Sequence, residues 1–435
     1  MEKIDMITAA FNGEALNGTI RVPGDKSISH RAVMLGAIAK GKTTISGFLA
    51  GEDCLSTIRI FSQLGVEIER NGTDVSVISP GISGWKNPVE ALDAGNSGTT
   101  ARLLLGILAG SSVTAEITGD RYLRKRPMRR VTAPLNEMNA RFKGNTETGT
   151  LPVTVEGTKL KAMSYEMPIA SAQVKSAILF AGLSAEGTTL VTEKAVSRDH
   201  TERMLRQFGA SVQSEETSVS ITGGQSLQSC EVKVPGDISS AAFFMCAAAM
   251  VPGSKVTFLD VGLNPTRTGI IDVLQEMGAK VSFGDRINGE GEPYGELTVE
   301  SSDLRAIEIS GSMIPRLIDE LPVIALLATQ ATGTTVIKDA EELRVKETDR
   351  IEAVCSELQK LGAIIEPTPD GMRITGPTKL TGGMLRSHGD HRLGMMAAIS
   401  SAVADGSVQI EDASCINVSY PGFFEHLDSL TRSKH

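Results

Sequence analysis

The sequence lacks the features that would place it in a membrane or in an oxidising compartment. Its longest unbroken apolar run extends from Ala241 to Val251, where Pro252 stops it, whereas a spanning helix needs about 20 apolar residues. The five cysteines are odd in number, widely scattered and form no CxxC pair, so no disulfide framework is predicted. The charged N-terminal segment is not typical of a signal peptide. These absences exclude a membrane protein and favour a cytoplasmic location.

Positive charge is also in short supply. Lys and Arg number 43 against 52 Asp and Glu, which gives a net charge of −9 and argues against a general nucleic-acid-binding protein. Low-complexity tracts are absent, and 41% of the 435 residues are hydrophobic, which is enough for two or three packed domains. An anionic ligand would therefore have to be bound by local basic clusters that act against the overall charge.

What the chain does contain is a repeat. Six short segments rich in Thr, Val and Ile are predicted to be strands, and each begins with a glycine and follows an apolar helical segment. An amphipathic helix is predicted after five of these strands, although RRVTAPLNEMNARF in the second unit fits less cleanly. Four of these helices are predicted to end at a left-handed glycine, namely Gly65, Gly209, Gly278 and Gly362. Periods of this size indicate repeated supersecondary units, and we predict six, each helix–strand–helix–strand.

A coarser repeat divides the chain into halves. VPGDKSISHRA begins at Val22 and VPGDISSAAFF at Val234, so each half contains three units. The sixth unit ends early, and the N-terminal segment has two spare strands, MITAAF and LNGTIRV, which we expect to complete the last domain. We predict one domain over 22–234 and a second over 1–21 plus 235–435, with hinges near 22–24 and 234–236 and ligand bound in the cleft between them. A rigid scaffold without cleft chemistry is the alternative, which repetition alone does not exclude.

One apparent nucleotide-binding motif is interpreted as a coincidence. Residues 36–43 match GxxxxGK[ST], but that loop cradles phosphates because it follows a strand and begins a helix. Here the apolar helix comes first and the strand follows, and the sister segments lack the lysine. We therefore predict the end of a helix at this position.

Several polar segments are candidates for ligand binding. GDRYLRKRPMRR offers guanidinium groups suited to carboxylate and phosphate, although a solvated charged face is the simpler interpretation. GNSGTTARLL places small residues at a helix start, which suits an anion or merely a helix cap. GDKSISHR in the first half, and IDELP, VKETDRI and HGDHR in the second, place lysines, arginines and carboxylates at segment ends. Cations for a multiply anionic substrate, together with acids for proton transfer, are typical of a group-transfer enzyme.

Simpler explanations exist for two features of the second half. Asp319 and Glu320 precede an apolar helix and would stabilise its dipole in any case. His388 and His391 suggest a metal, but no third ligand lies at a matching spacing, so no metal site is predicted.

The segments GDKSISHR, AGNSGTTAR, RKRPM, SAQVKSA, SRDHTERML, PGDISSAAF, IDELP, VKETDRI and GDHR, in this order, resemble the EPSP synthase family in its class II bacterial form. The resemblance extends from about Val22 to Leu427. It implies an α/β protein with the enolpyruvyl transferase fold, an inside-out α/β barrel of two similar domains with three repeated helix–strand units each and a cleft between them.

The resemblance also implies a reaction. The family transfers the enolpyruvyl (carboxyvinyl) group of phosphoenolpyruvate to the 5-hydroxyl of shikimate 3-phosphate by addition–elimination, with release of phosphate, in the shikimate pathway of aromatic amino acid biosynthesis. It uses no metal or organic cofactor and is the target of glyphosate, which competes with phosphoenolpyruvate. We accordingly expect a cytoplasmic monomer that binds these two substrates and neither nucleic acid nor membrane.

Roles for individual residues follow from the resemblance by motif. Those expected to bind shikimate 3-phosphate are Lys26, Ser27, Arg31, Ser171, Gln173, Arg198, Asp319 and Lys346. Those expected to bind phosphoenolpyruvate are Lys26, Gly98, Arg126, Gln173, Arg350 and Arg392. The catalytic residues would be Asp319 as proton acceptor, Glu347 as a second acid or base, and Lys26. Two positions depart from class I enzymes, since Ala172 replaces a second serine and Val418 replaces a lysine.

Two other functions remain open from the sequence. The sister enolpyruvyl transferase, which acts on UDP-N-acetylglucosamine, has Lys-Asn where this chain has Lys26-Ser27. It also carries a reactive cysteine where this chain has Arg121. A non-catalytic anion-binding scaffold would bind phosphoenolpyruvate without turnover, and a phosphate-release assay with both substrates would distinguish it.

Overall fold

The computed structural model describes residues 5–11, 13–144, 149–289 and 291–431, which divide into two compact units. The continuous unit comprises Gly24–Val234 and the short segment Asn288–Glu292. The split unit comprises the chain up to Pro23, then Pro235–Ile287, and the chain from Pro293 onward. The chain therefore leaves the split unit and returns to it twice.

Strands and helices alternate in both units. The strands are β1 (Met6–Ala9), β2 (Asn17–Ile20), β3 (Lys40–Ser46), β4 (Glu67–Asn71), β5 (Asp74–Pro80), β6 (Leu92–Asp93), β7 (Thr114–Thr118), β8 (Arg141–Gly144), β9 (Val153–Glu156), β10 (Ser164–Glu166), β11 (Thr188–Thr192), β12 (Val212–Glu215), β13 (Ser218–Thr222), β14 (Glu231–Lys233), β15 (Lys255–Gly262), β16 (Lys280–Ile287), β17 (Tyr294–Glu300), β18 (Glu308–Ile309), β19 (Gly333–Ile337), β20 (Ile364–Thr368), β21 (Gly371–Gly376), β22 (Leu380–Arg386) and β23 (Ala404–Glu411). The helices are α1 (Lys26–Ile38), α2 (Glu52–Gln63), α3 (Gly98–Ala109), α4 (Arg129–Glu137), α5 (Ala172–Ser184), α6 (His200–Gln207), α7 (Ile238–Met250), α8 (Gly269–Glu276), α9 (Ile314–Leu317), α10 (Leu321–Ala328), α11 (Arg350–Lys360), α12 (His391–Ser400) and α13 (Phe423–Thr431).

Within the described ranges the strands form sheets of one recurring pattern. The orders are β14-β3-β5-β4, β6-β7-β9-β8 and β10-β11-β13-β12 in the continuous unit, and β2-β15-β17-β16, β18-β19-β21-β20 and β22-β23-β1 in the split unit. The second strand of each order is the repeat strand, which pairs in parallel with the first strand and antiparallel with the third. The sixfold repeat predicted from the sequence is thus a repeat of sheets.

The N-terminal strands complete sheets of the split unit. β2 runs parallel to β15, with Ile20 opposite Phe258. β1 runs antiparallel to β23, with Ala9 opposite Val408, and takes the third place in the sheet of the shortened last repeat. In the continuous unit β14 has the corresponding place of a first strand beside β3. Each unit is therefore closed by a strand distant in sequence from the one it pairs with.

The interior consists of helices and the sheets lie around them. Every residue of α7 and of α10 is buried, and α1, α3, α5 and α12 are buried over most of their length. A helix that is apolar on all sides must be surrounded by other elements. The repeat strands expose alternate residues, as in β3. This is the inside-out α/β arrangement, and the predicted fold is confirmed.

Local features agree with the sequence patterns. α1 ends at Ile38 and β3 begins at Lys40, so the GxxxxGK[ST] match covers a helix end, as predicted. The four predicted stop glycines at positions 65, 209, 278 and 362 have φ between 85° and 94°. The irregular second unit forms α4 with Pro134 inside it. Among the described helices none combines the length and the apolar character needed to cross a membrane.

Candidate active site

On the continuous unit, the predicted ligand contacts lie at the starts of buried helices. Lys26 is the first residue of α1, Gly98 is the first residue of α3, and Ser171 immediately precedes α5. The side chain of Asp25 caps α1 and that of Ser97 caps α3. Such N-termini direct backbone N–H groups and a partial positive charge outward. The motifs predicted to bind anions therefore lie where the helix geometry favours anions.

Gln173 connects the starts of α3 and α5. Its Oε1 accepts a hydrogen bond from Arg102 Nη1 at 2.7 Å, and its Nε2 donates to Thr99 Oγ1 at 3.0 Å. A Cβ added to Gly98 would lie 2.9 Å from Arg102 Nη1 and 3.4 Å from Arg126 Nη1. The structure thus brings Gly98, Arg126 and Gln173 together. It adds Arg102, to which the sequence analysis assigned no role.

Lys26 forms an ion pair with Asp53, the second residue of α2. Asp53 is buried at 8% exposure, so little water screens this ion pair. Nothing in the sequence near Asp53 distinguishes it from an ordinary acidic residue in a first helical turn. Sequence reasoning missed it for that reason.

Arg31 is a buried cation held by neutral groups. Its Nε donates to Thr201 Oγ1 at 2.7 Å, its Nη1 to the Ser27 carbonyl at 3.0 Å, and its Nη2 to Ser176 Oγ at 2.8 Å. Burial lowers the pKa of Arg31 to about 10, against the opposing influence of Glu202, so the side chain is still charged at neutral pH. Within the described chain it makes no ion pair with a carboxylate. Its charge is therefore available to an anionic ligand.

On the split unit, Arg350 is the centre of an ionic cluster. Its Nε lies 2.7 Å from Asp390 Oδ2, its Nη2 lies 2.8 Å from Glu347 Oε2, and its Nη1 lies 3.2 Å from Asp319 Oδ1. Burial would lower the pKa of Arg350, but the three carboxylates outweigh burial and raise it above the ordinary value. The guanidinium is therefore permanently charged. Asp390 is completely buried and was recognised in its motif without being assigned a role.

Asp319 stands between two cations. Its Oδ1 lies 3.2 Å from Arg350 Nη1 and 4.0 Å from Lys346 Nζ. A carboxyl group at this position is a candidate proton acceptor. The structure therefore brings four of the predicted residues together, namely Asp319, Lys346, Glu347 and Arg350.

Arg392, in the first turn of α12, is a buried cation with unused donors. It is 7% exposed, and its Nε and Nη1 have no hydrogen-bond partner among the described residues. Its backbone N–H donates to Asp390 Oδ1 at 2.8 Å, and Asp390 also binds Arg350. An unpaired buried charge is costly unless a ligand satisfies it. Arg392 is accordingly the strongest structural indication of an anion site.

The histidines considered for a metal have other partners or surroundings. His388 Nε2 lies 2.8 Å from Glu357 Oε1, and His391 is buried in the first turn of α12. Over the described ranges, no three His, Cys, Asp or Glu side chains are grouped so that they could hold a metal ion.

Sequence comparison identifies the family to which this chain is similar. The sequence model of the EPSP synthase (3-phosphoshikimate 1-carboxyvinyltransferase) family matches residues 11–427. The chain belongs to the EPSP synthase family. The 3-phosphoshikimate 1-carboxyvinyltransferase of Bacillus cytotoxicus is 60% identical over 417 residues, covering 96% of this chain and 98% of the relative. That of Bacillus subtilis is 57% identical over 420 residues, covering 96% and 98%.

The fold agrees with solved structures of the EPSP synthase family. An EPSP synthase from Acinetobacter baumannii superposes with a TM-score of 0.89 at 42% sequence identity and 98% coverage of both chains. The activity is that of the family, enolpyruvyl transfer from phosphoenolpyruvate to shikimate 3-phosphate in the shikimate pathway. The alternative activity on a UDP-amino sugar is not favoured, because the family model and the similar proteins are 3-phosphoshikimate enzymes.

Proposed function

We propose that the two clusters described above bind the two substrates of the family reaction. Shikimate 3-phosphate would contact Lys26, Ser27, Arg31, Ser171, Gln173, Arg198, Asp319 and Lys346. Phosphoenolpyruvate would contact Lys26, Gly98, Arg126, Gln173, Arg350 and Arg392. The observation that carries this proposal is the buried guanidinium of Arg392, whose Nε and Nη1 have no partner in the described chain. A carboxylate or phosphate would supply the hydrogen-bond acceptors that these two guanidinium nitrogens lack.

The charges of the two clusters suit their proposed ligands. Arg31 is charged and has no carboxylate partner, so it can bind a phosphate without first breaking an ion pair. Arg350 already binds three carboxylates, so an incoming anion would have to share or displace them. Arg392 would make the first contact with phosphoenolpyruvate on this unit, and Arg350 would reinforce it.

The proposed chemistry assigns the proton transfers to carboxylates beside these cations. The 5-hydroxyl of shikimate 3-phosphate loses its proton to Asp319 while its oxygen bonds to C2 of phosphoenolpyruvate and the methylene carbon gains a proton. Glu347 or Lys26 would supply that second proton. The tetrahedral adduct then loses phosphate while its methyl group returns a proton to the group that supplied it, which restores the carbon–carbon double bond and leaves an enol ether. Arginines stabilise the carboxylate and phosphate charges throughout.

We further propose the class II bacterial subtype, supported by Ala172 and Val418 at the positions where class I enzymes have a serine and a lysine.

The predicted domains, 22–234 and 1–21 plus 235–435, would be the moving parts, with hinges near 22–24 and 234–236. The two compact units divide at Pro23/Gly24 and Val234/Pro235, which supports this assignment. A monomer in the cytoplasm is the state that we propose for the working enzyme.

Steady-state kinetics on an Arg392 variant test the phosphoenolpyruvate site. Arg392→Gln removes the charge and part of the fork, so the KM for phosphoenolpyruvate should rise about 10-fold or more, since hydrogen bonds to charged groups contribute about 1.5–3 kcal/mol. The KM for shikimate 3-phosphate should change much less. Arg386→Gln is the matched control, because Arg386 is an exposed arginine of the same unit that pairs with Glu411. Equal effects of the two variants on phosphoenolpyruvate would contradict the assignment.

A further inference from the structure

A buried ionic cluster on the continuous unit adjoins the proposed shikimate 3-phosphate contacts. Lys175 Nζ on α5 lies 2.7 Å from Glu193 Oε2 and 2.8 Å from Glu202 Oε1. All three residues are buried, with exposures of 2%, 6% and 2%. Burial would lower the pKa of Lys175, but the two carboxylates outweigh it and raise the pKa above the ordinary value. Because ions are costly to bury, the neighbours of this cluster indicate what it supports.

The first neighbour is the segment that carries Arg198. Ser197 is held at three atoms: its backbone N–H donates to Glu193 Oε2 at 3.3 Å, its Oγ donates to Glu193 Oε1, and its carbonyl accepts from Lys175 Nζ at 3.4 Å. Arg198 follows directly in the chain. The cluster therefore fixes the backbone from which the Arg198 side chain extends.

The second neighbour is Arg31. Ser176, the residue after Lys175, accepts from Arg31 Nη2 at 2.8 Å, and Thr201, the residue before Glu202, accepts from Arg31 Nε at 2.7 Å. Thr201 Oγ1 also donates to Ser176 Oγ at 2.7 Å. The residues next to the cluster in sequence thus hold two nitrogens of the guanidinium. Among the negative charges near Arg31, Glu202 acts on it most strongly.

We infer that Lys175, Glu193 and Glu202 position Arg31 and Arg198 for the phosphate group of shikimate 3-phosphate. This inference rests on the proposed function, which assigns both arginines to that substrate. Of the carboxylates near Arg31, Glu202 opposes its charge most strongly, although burial raises the pKa of Glu202 against the influence of Lys175. Arginines fixed in advance lose less conformational freedom when the phosphate binds. The three residues are positioning residues, since none is proposed to contact substrate.

Calorimetric titration of the full chain with shikimate 3-phosphate tests the inference. Lys175→Met leaves two buried carboxylates without their cation, and the dissociation constant should rise about tenfold or more. The KM for phosphoenolpyruvate, at saturating shikimate 3-phosphate, should stay within about threefold of wild type. Lys175→Arg keeps the charge and should restore most of the affinity. Lys143→Met is the control, because Lys143 forms an exposed ion pair with Glu156 in the same unit.

Two further variants keep the outcome decisive. Glu193→Gln preserves the shape of the side chain while removing its charge, and it should weaken shikimate 3-phosphate binding in the same selective way if Lys175→Met does not fold. Arg198→Ala, measured in parallel, tests the site assignment itself. Weakening by Arg198→Ala but not by the cluster variants would overturn the inference alone, and no effect of either would overturn both. Equal loss of affinity for both substrates, unrestored by Lys175→Arg, would mean that the cluster only maintains the fold.

Discussion

At the scale of single residues, His30 shows how tightly the start of α1 is enclosed. It is completely buried, and its Nδ1 lies 2.8 Å from Thr57 Oγ1 of α2. Thr57 in turn is hydrogen-bonded to Thr100 of α3 at 2.8 Å. Burial lowers the pKa of His30 to about 3, with Lys26 and Arg31 adding to the effect and Asp53 opposing it. The histidine is therefore a neutral link between three helices and not a proton carrier at neutral pH.

The lowered pKa of His30 predicts that the protein loses stability in mild acid. Because the native pKa lies below the unfolded value of 6.5, the unfolded chain binds a proton first as the pH falls, and the free energy of unfolding decreases between pH 6.5 and 3. The His30 contribution between pH 7.5 and 5 is about 2 kcal/mol. Urea unfolding of wild type and His30→Asn at several pH values should show a flatter profile for the variant. Parallel profiles would show that His30 is not the group responsible.

The surroundings of Gly98 predict how the proposed site distinguishes phosphoenolpyruvate from glyphosate. Glyphosate is the inhibitor that is expected from the family resemblance. An added methyl group meets the ends of Arg102 and Arg126, so these flexible side chains would have to shift within the proposed site. Overpacking of this kind costs about 1–3 kcal/mol, and the longer glyphosate should suffer more of it. For Gly98→Ala we expect the glyphosate inhibition constant to rise much more than the KM for phosphoenolpyruvate. Equal rises, measured side by side with wild type, would mean only that a shared site is crowded.

The sequence identified the proposed substrate contacts more readily than the residues that pair with them. Lys26, Gly98, Asp319 and Arg350 lie in short motifs with recognisable composition at helix starts, where the local physics of anion binding applies. Asp53 and Asp390 pair with site cations across distances that only the folded chain creates. No local pattern marks such a partner, because an acidic residue in a first helical turn is common for other reasons.

At the scale of elements, the close approach of α3 and α5 sets the position of two helix starts. A Cβ on Gly106 of α3 would lie 2.1 Å from the carbonyl oxygen of Ala177 on α5. Only glycine allows this separation, since the obstacle is backbone and cannot rotate away. Through this contact the starts of α3 and α5, with Gly98 and Gln173, are held in a fixed relation.

Gly106→Ala should therefore destabilise the protein although alanine favours helices. The gain in helix propensity is about 1 kcal/mol, whereas overpacking against a rigid backbone costs about 1–3 kcal/mol or more. We expect a net fall in the urea unfolding free energy and a rise in the KM of both substrates. Gly289→Ala is the control, since nothing lies within 4 Å of a Cβ at that position. An unchanged unfolding free energy would refute the packing argument.

Strands could be predicted from the sequence where the sixfold repeat reinforced a weak local pattern. The repeat strands β3, β7, β11, β15, β19 and β23 have the same surroundings, so six instances support one interpretation. The short parallel partners β6, β14 and β18 have two or three residues each and carry no periodicity of their own. Their positions come from pairing with the repeat strands, which is a tertiary effect.

At the scale of the whole molecule, the proposed contacts for shikimate 3-phosphate come from both units. Lys26 and Ser171 belong to the continuous unit, and Asp319 and Lys346 to the split unit. A ligand that binds residues of both should favour the arrangement in which all of them reach it. We therefore expect small-angle scattering to give a smaller radius of gyration with saturating shikimate 3-phosphate. An unchanged radius at full occupancy would argue against closure.

The short segment Asn288–Glu292 belongs to the continuous unit although the strands on either side of it, β16 and β17, belong to the split unit. Glu292 Oε1 lies 2.7 Å from His200 Nδ1, and both residues are buried. The predicted hinges near 22–24 and 234–236 did not include this additional connection between the units. No sequence pattern distinguishes it from an ordinary hairpin loop.

The pairing of β1 with β23 and of β2 with β15 has a consequence for protein synthesis. The first strands leave the ribosome at the beginning of translation, but β23 follows only after nearly the whole chain has been made, roughly 20–80 s later at 5–20 residues per second. Throughout that interval β1 has no native partner, and β2 has none until β15 has been made, while most of the continuous unit is already available to fold. Unpaired strands are sites of aggregation when they are long and apolar. β1 and β2 have four residues each, and only the last residue of each is buried. This composition suits strands that stay exposed to solvent until their partner strands have been made.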